Sequence, residues 1–220
     1  MRKCIALILV LQGFGSDAQT FADCAERYHS DFSKVQLEFI AKKINRAALD
    51  SAIFTLEESL DTCIIGKEIP EYSLVGRSGK IYTNESLKGK VVVFNFWSVN
   101  CGPCIGEIPV LNRIHLSYKQ NEDFVLISIL LDNEESLEKL LEGGLTKRRM
   151  VYEVVPDSKA MMKSTFKLVK AYPTNLFVDR EGKIFMKTVG GIIDTKDEQK
   201  LEMKFREIID SVLNKESSRL

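Results

Sequence analysis

Cys101 and Cys104 are spaced for thiol-disulfide chemistry in the run Cys101-Gly102-Pro103-Cys104. If a helix opens here, Cys101 lies at its N-terminus, where unpaired backbone N–H groups and the helix dipole favour a thiolate. Such a site can move a cysteine from about 8.5 into the range of roughly 3.5–7.5, and the thiolate is the form that attacks a disulfide. Pro103 suits the first helical turn, which needs no N–H donor there. Cys104, one turn further in, is less exposed. Its task is to break the mixed disulfide formed by Cys101, releasing reduced product and leaving a Cys101–Cys104 bond.

Competing uses of the two cysteines fit less well. Zinc needs four ligands, and the sequence adds only His29 and His115. His115 lies about 16 Å along the same helix from Cys104. Haem attachment wants a histidine after the second cysteine, where Ile105 stands. A purely structural bond across so short a loop removes little unfolded-chain entropy.

The flanking sequence supplies a scaffold. Residues 91–97 and 124–131 are nearly continuous apolar runs rich in β-branched and aromatic side chains, the pattern of strands covered on both faces. A helix over 103–120 is expected between them. A short helix over 133–141 comes next, with acids at its positive end. Strands over 174–179 and 183–189, joined by Arg180-Glu181-Gly182, read as a hairpin. A last helix opens with the capping-box pair Thr195 and Glu198 and buries Leu201, Phe205, Ile208 and Val212. Residues 72–74 and 80–82 suit a small antiparallel pair. This alternation predicts an α/β fold, a three-layer α/β/α sandwich.

Ahead of it, residues 19–62 read as helical. Leu49, Ile53, Leu56 and Leu60 form one apolar stripe, and Val35, Ile40 and Ile44 a weaker one. So short a piece packs as an appendage on the sandwich. The expected division is a leader over 1–18, a helical extension over 19–65 and the α/β domain over 66–220.

The leader reading rests on Arg2 and Lys3 before the apolar run 4–11, with Ser16-Asp17-Ala18 as a cleavage site. An apolar strand or an uncleaved membrane tether is the alternative. The run is far short of the ~20 residues that a bilayer span needs. Removal of the leader takes Cys4 with it and leaves Cys24, Cys63, Cys101 and Cys104 in an exported, disulfide-permissive setting, with the bacterial periplasm the expected compartment. Lys plus Arg total 31 and Asp plus Glu 31. With Lys147-Arg148-Arg149 as the longest basic cluster, no stripe for nucleic acid is visible.

Together these residues resemble the thioredoxin-fold thiol-disulfide oxidoreductases, in particular the exported TlpA/ResA-like branch. The resemblance rests on Gly66-Lys67 with Pro70, Leu87-Lys88-Gly89-Lys90 before a buried strand, Trp97, the Cys-Gly-Pro-Cys centre, Glu107-Ile108-Pro109 and Tyr172-Pro173-Thr174. It implies a mixed central sheet and catalytic roles for Cys101, Cys104, Glu107 and Pro173. Pro173 would be a cis-proline, presenting Tyr172 as an edge for a client strand. Pro109 would interrupt the helix with a kink. Glu107, one turn beyond Cys104, would be a partly buried base for its thiol, with a solvated surface glutamate as the alternative. Asn95 stands where cytosolic thioredoxins carry a buried aspartate. Trp97, Gly102, Pro103 and Tyr172 would form the client-binding surface, with Trp97 as the wall beneath it. Asn100 departs from the family's usual tryptophan, which makes that surface more polar.

With Cys101 and Cys104 paired, the remaining connectivity is a structural Cys24–Cys63 disulfide. No cofactor is expected beyond the redox-active disulfide, and no metal or nucleic acid. The expected partners are exported proteins with disulfides and a membrane thiol-disulfide electron donor. A peroxiredoxin-like peroxidase would instead want a lone peroxidatic cysteine in a Thr-containing loop. A non-enzymatic binding module would leave the dithiol idle.

Overall fold

The computed structural model describes residues 20–143 and 149–214; the expected leader with Cys4, and Lys147 and Arg148 of the basic cluster, lie outside the described residues. Two helices come first, α1 (Phe21–Ile40) and α2 (Arg46–Ile64), followed by a small antiparallel pair, β1 (Ser73–Val75) and β2 (Ile81–Thr83). The main sheet contains β3 (Val91–Trp97), β4 (Phe124–Leu130), β5 (Glu153–Val155), β6 (Thr174–Val178) and β7 (Ile184–Val189) in the order β5-β4-β3-β6-β7. β3 runs parallel to β4 and β4 to β5, whereas β6 is antiparallel to both β3 and β7. Helices α3 (Gly102–Tyr118), α4 (Glu134–Glu142), α5 (Lys159–Lys163) and α6 (Glu198–Asn214) complete the chain. This is a thioredoxin-like sandwich with a mixed sheet.

Alternation along β3 explains the two layers. Val91, Val93 and Trp97 face a cluster containing Val110, Leu111 and Ile114 of α3 and Phe205 and Ile209 of α6. Val92, Phe94 and Phe96 face the opposite cluster, with Phe166, Leu176 and Ile184. Every residue of β3 is buried, as its unbroken apolar run requires.

The helical hairpin is anchored at one end only. Phe21, Cys24, Ala25 and Tyr28 of α1 and Leu60 and Ile64 of α2 join the same core as Phe94 and Phe96. A disulfide, S–S 2.05 Å, ties Cys24 to Cys63 at this base. Beside it Lys187 of β7, its side chain 2% exposed, meets Glu57 at 2.6 Å and Asp61 at 2.7 Å.

The expected α1 stripe is corrected here. Ile40 is 73% exposed, Val35 is partly buried, and Ile44 falls in the turn after the helix. The base of α1 is what meets the sheet, so apolar spacing further along finds nothing to pack on.

Other details also differ from expectation. Asp194, not Thr195, caps the final helical segment, accepting from Lys196 N–H, and a 3-10 turn over Thr195–Asp197 precedes α6. Leu201 is only partly buried. α3 runs continuously through Pro109, as the expected helix over 103–120 requires. β5 and α5 had no expectation. Among the described residues no helix is long and apolar enough to cross a membrane.

Candidate active site

β3 delivers the chain to the site and a short turn converts it into α3. Trp97 C=O accepts from Leu131 N–H at 3.0 Å, Val99 N–H donates to the Asp132 carboxylate at 2.9 Å, and Cys101 N–H donates to Ser98 C=O at 3.1 Å. These bonds pin the turn on the end of β4. Cys101 is the N-cap of α3, and its Sγ accepts from Cys104 N–H at 3.3 Å. Sulfur at that position receives the N–H groups that stabilise an anion. Cys101 and Cys104 form a disulfide with Cα atoms 5.2 Å apart. Cys101 is partly exposed and Cys104 is 3% exposed, so a client meets Cys101 first.

Two other segments frame the dithiol. The Tyr172–Pro173 peptide bond is cis, with Tyr172 half-buried and Pro173 buried at the start of β6. The glycine pair after β7 closes the remaining side. Gly190 N–H donates to Pro173 C=O at 2.9 Å, and Ile192 N–H donates to Pro103 C=O at 3.3 Å. A methyl group on Gly191 would lie 2.6 Å from both Pro103 O and Pro173 Cγ, so only glycine allows this approach. Sequence reasoning passed over these residues, although the Gly-Gly pair directly after a predicted strand was a usable signal.

Beneath the dithiol the side chains differ from expectation in depth. Trp97 is 2% exposed and shares an apolar cluster with Cys104. It supports the surface from below and offers a client almost no contact area, which corrects its place in the binding set. Gly102 is exposed, and Pro103 is partly so. Asn100 is exposed beside the nucleophile.

Glu107 is fully buried rather than partly so. Its Oε1 accepts from Asn175 Nδ2 at 3.0 Å, and its Oε2 from Asn95 Nδ2 at 3.2 Å. Burial pushes its pKa up to about 8, against the two amide donors that pull it down. A carboxylate tuned near a thiol's own range is suited to exchange a proton with it. Asn175 was not singled out from sequence, though a polar residue inside the apolar strand Thr174–Val178 invites explanation. Among the described residues no group of three or more His, Cys, Asp or Glu side chains is placed to hold a metal ion.

Fold and site together define a thioredoxin-like chain with a dithiol centre. By sequence it belongs to the AhpC/TSA family, which matches residues 65–186. It is 31% identical over 126 residues to the thiol-disulfide oxidoreductase ResA of Bacillus cereus, covering 57% of this chain and 70% of that one. A solved structure from Chlorobium tepidum, provisionally described as the thiol:disulfide interchange protein DsbE, shares 28% identity with a TM-score of 0.53, over 66% of this chain and 97% of that one. The thioredoxin domain of a thiol-disulfide oxidoreductase from Bacteroides vulgatus shares 25% identity with a TM-score of 0.51, over 64% and 96%.

Proposed function

We propose that the protein is an exported thiol-disulfide oxidoreductase that reduces disulfides in other exported proteins. The observation that carries this reading is the asymmetric pair at the start of α3: a partly exposed Cys101 capping the helix and a buried Cys104 behind it. The relatives' names point the same way.

In the reductive half-cycle, Cys101 thiolate attacks a client disulfide, forming a mixed disulfide and expelling the first client thiolate. Cys104 then gives its proton to Glu107 and attacks Cys101 Sγ. The Cys101–Cys104 bond forms as the second client thiolate leaves. Two electrons have passed to the client, and a dithiol donor at the membrane restores the pair. Tyr172 and Pro173 present a backbone edge to the client, as do Gly102 and Pro103 beside the nucleophile. The disulfide itself is the redox group, and no added cofactor takes part. The charged start and apolar run of residues 2–11, which read as a leader over 1–18, support export, and the Cys24–Cys63 bond suits an oxidising compartment such as the periplasm.

Insulin reduction tests the reading directly. Cys101→Ser should abolish it, and Cys104→Ala should trap a client as a mixed disulfide. Unchanged turnover in Cys101→Ser would leave only a binding module.

A further inference from the structure

Three neighbouring strands place a polar residue at one level of the sheet. In the register of the pairs, Asn95 of β3 lies opposite Ser128 of β4 on one side and Asn175 of β6 on the other. All three are buried, at 3%, 0% and 0% exposure. Their neighbours on the same face are apolar: Val93 and Trp97, Leu126 and Leu130, and Phe177. Burying three polar side chains in such a layer is costly unless each is bonded.

The bonds run in one direction. Ser128 Oγ donates to Asn95 Oδ1 at 3.0 Å, which turns Asn95 Nδ2 toward Asn175 Oδ1 at 2.9 Å and Glu107 Oε2 at 3.2 Å. With its Oδ1 so engaged, Asn175 turns Nδ2 to Glu107 Oε1 at 3.0 Å. The row therefore ends in two donors, one on each carboxylate oxygen. A protonated carboxyl would set its O–H against one of those N–H groups, donor against donor. Hydrogen bonds to the charged form favour that form, in opposition to burial. Tyr152 is within electrostatic range of Glu107, and burial keeps its phenol neutral.

We propose that Asn175, supported by the Asn95–Ser128 pair in the same row, is a positioning residue for Glu107: its amide fixes the carboxylate's orientation and favours the ionised state that takes the Cys104 proton. This deepens the function proposed above and rests on its assignment of Glu107 as the base. Asn175 touches no client and acts only through Glu107.

A single-turnover reaction of the reduced protein with an aromatic disulfide separates the two thiols, since the first aromatic thiol released reports Cys101 and the second reports Cys104. For Asn175→Ala, the second release should slow about tenfold at neutral pH and its inflection should move up by about one pH unit, the effect of losing one charge-assisted hydrogen bond. The first release should stay as in the parent. Asn175→Asp keeps the shape and adds a second carboxylate, so its inflection should rise at least as far. Ser128→Ala should produce a smaller shift of the same sign. In a Glu107→Gln background, Asn175→Ala should shift nothing. An unmoved profile in Asn175→Ala and Asn175→Asp, or a shift that persists without Glu107, would overturn the proposal. If Glu107→Gln itself leaves the second release unchanged, the base assignment fails first; if it changes the profile and the Asn175 variants do not, only the positioning role fails.

Discussion

Two disulfides among the described residues have nearly the same span, Cα–Cα 5.8 Å for Cys24–Cys63 and 5.2 Å for Cys101–Cys104. Their surroundings assign them opposite work. Cys24–Cys63 joins residues 39 apart and lies at the base of the helical hairpin, where Cys24 is 1% exposed. It closes a long loop in the unfolded chain, and although Cys24 lies in the first turn of α1, its burial keeps that sulfur from any client. Cys101–Cys104 joins residues 3 apart, constrains almost nothing, and places one sulfur at the mouth of α3 within reach of a client. Bond geometry alone does not separate a staple from a redox centre; loop length, exposure and the nearby backbone dipoles do.

Removing each bond in turn should break this symmetry most clearly. Cys101→Ser should reduce insulin-reduction turnover to background, whereas the paired Cys24→Ser and Cys63→Ser variant should keep most of its turnover. A comparable loss from both would erase the distinction.

Glu107 makes the redox side dependent on pH in a second way. Its folded pKa of about 8 lies above the ordinary carboxyl value of 4.5. The folded state therefore holds a proton that the unfolded state releases, and stability falls as pH rises between those values. Glu107→Gln, which does not titrate, should then become more stable relative to the parent as pH rises through that window, by on the order of a few kcal/mol. Denaturant melts at pH 5 and pH 9 measure it, and an equal difference at both would show that the carboxyl does not titrate there. Such a cost, tolerated in the fold, is characteristic of a group retained for chemistry.

The stapling side has its own expected magnitude. Loss of Cys24–Cys63 should cost about 4 kcal/mol through release of the unfolded chain, with the hairpin base loosening first. Calorimetry of the double serine variant checks this, and an unchanged melting temperature would contradict it. A smaller effect of mixed kind is expected at Gly191, where an added methyl group must displace Pro103 or Pro173. Gly191→Ala should cost about 1–3 kcal/mol as overpacking does and should lower client reduction more than the serine pair does. A variant as active as the parent would mean that this loop is not part of the site.

Legibility in the sequence divides along the same line. The apolar runs of β3 and β4 and the Cys-Gly-Pro-Cys spacing are local signals, and both disclose themselves within a few residues. β5 is only three residues long and α5 only five, too short for periodicity to register. The apolar spacing of Val35, Ile40 and Ile44 misled because nothing in a stripe says whether a surface will be there to meet it. Ser128 and Asn175 were hidden for another reason: neither stands out within its own strand, and only the register across β4, β3 and β6 makes them a row ending on Glu107. The close approach of Gly191 to Pro103 and Pro173 likewise joins segments distant in sequence.

The central claim is that one disulfide is a redox centre and the other a structural staple. It is tested most directly by equilibrating the native protein over a graded series of thiol-disulfide buffers and mapping free cysteines by alkylation and mass spectrometry. Cys101 and Cys104 should open together at mild reducing poise while Cys24 and Cys63 stay closed, and Cys101 should be alkylated faster than Cys104. If the four cysteines open at one potential, or if Cys24–Cys63 opens first, the account is contradicted.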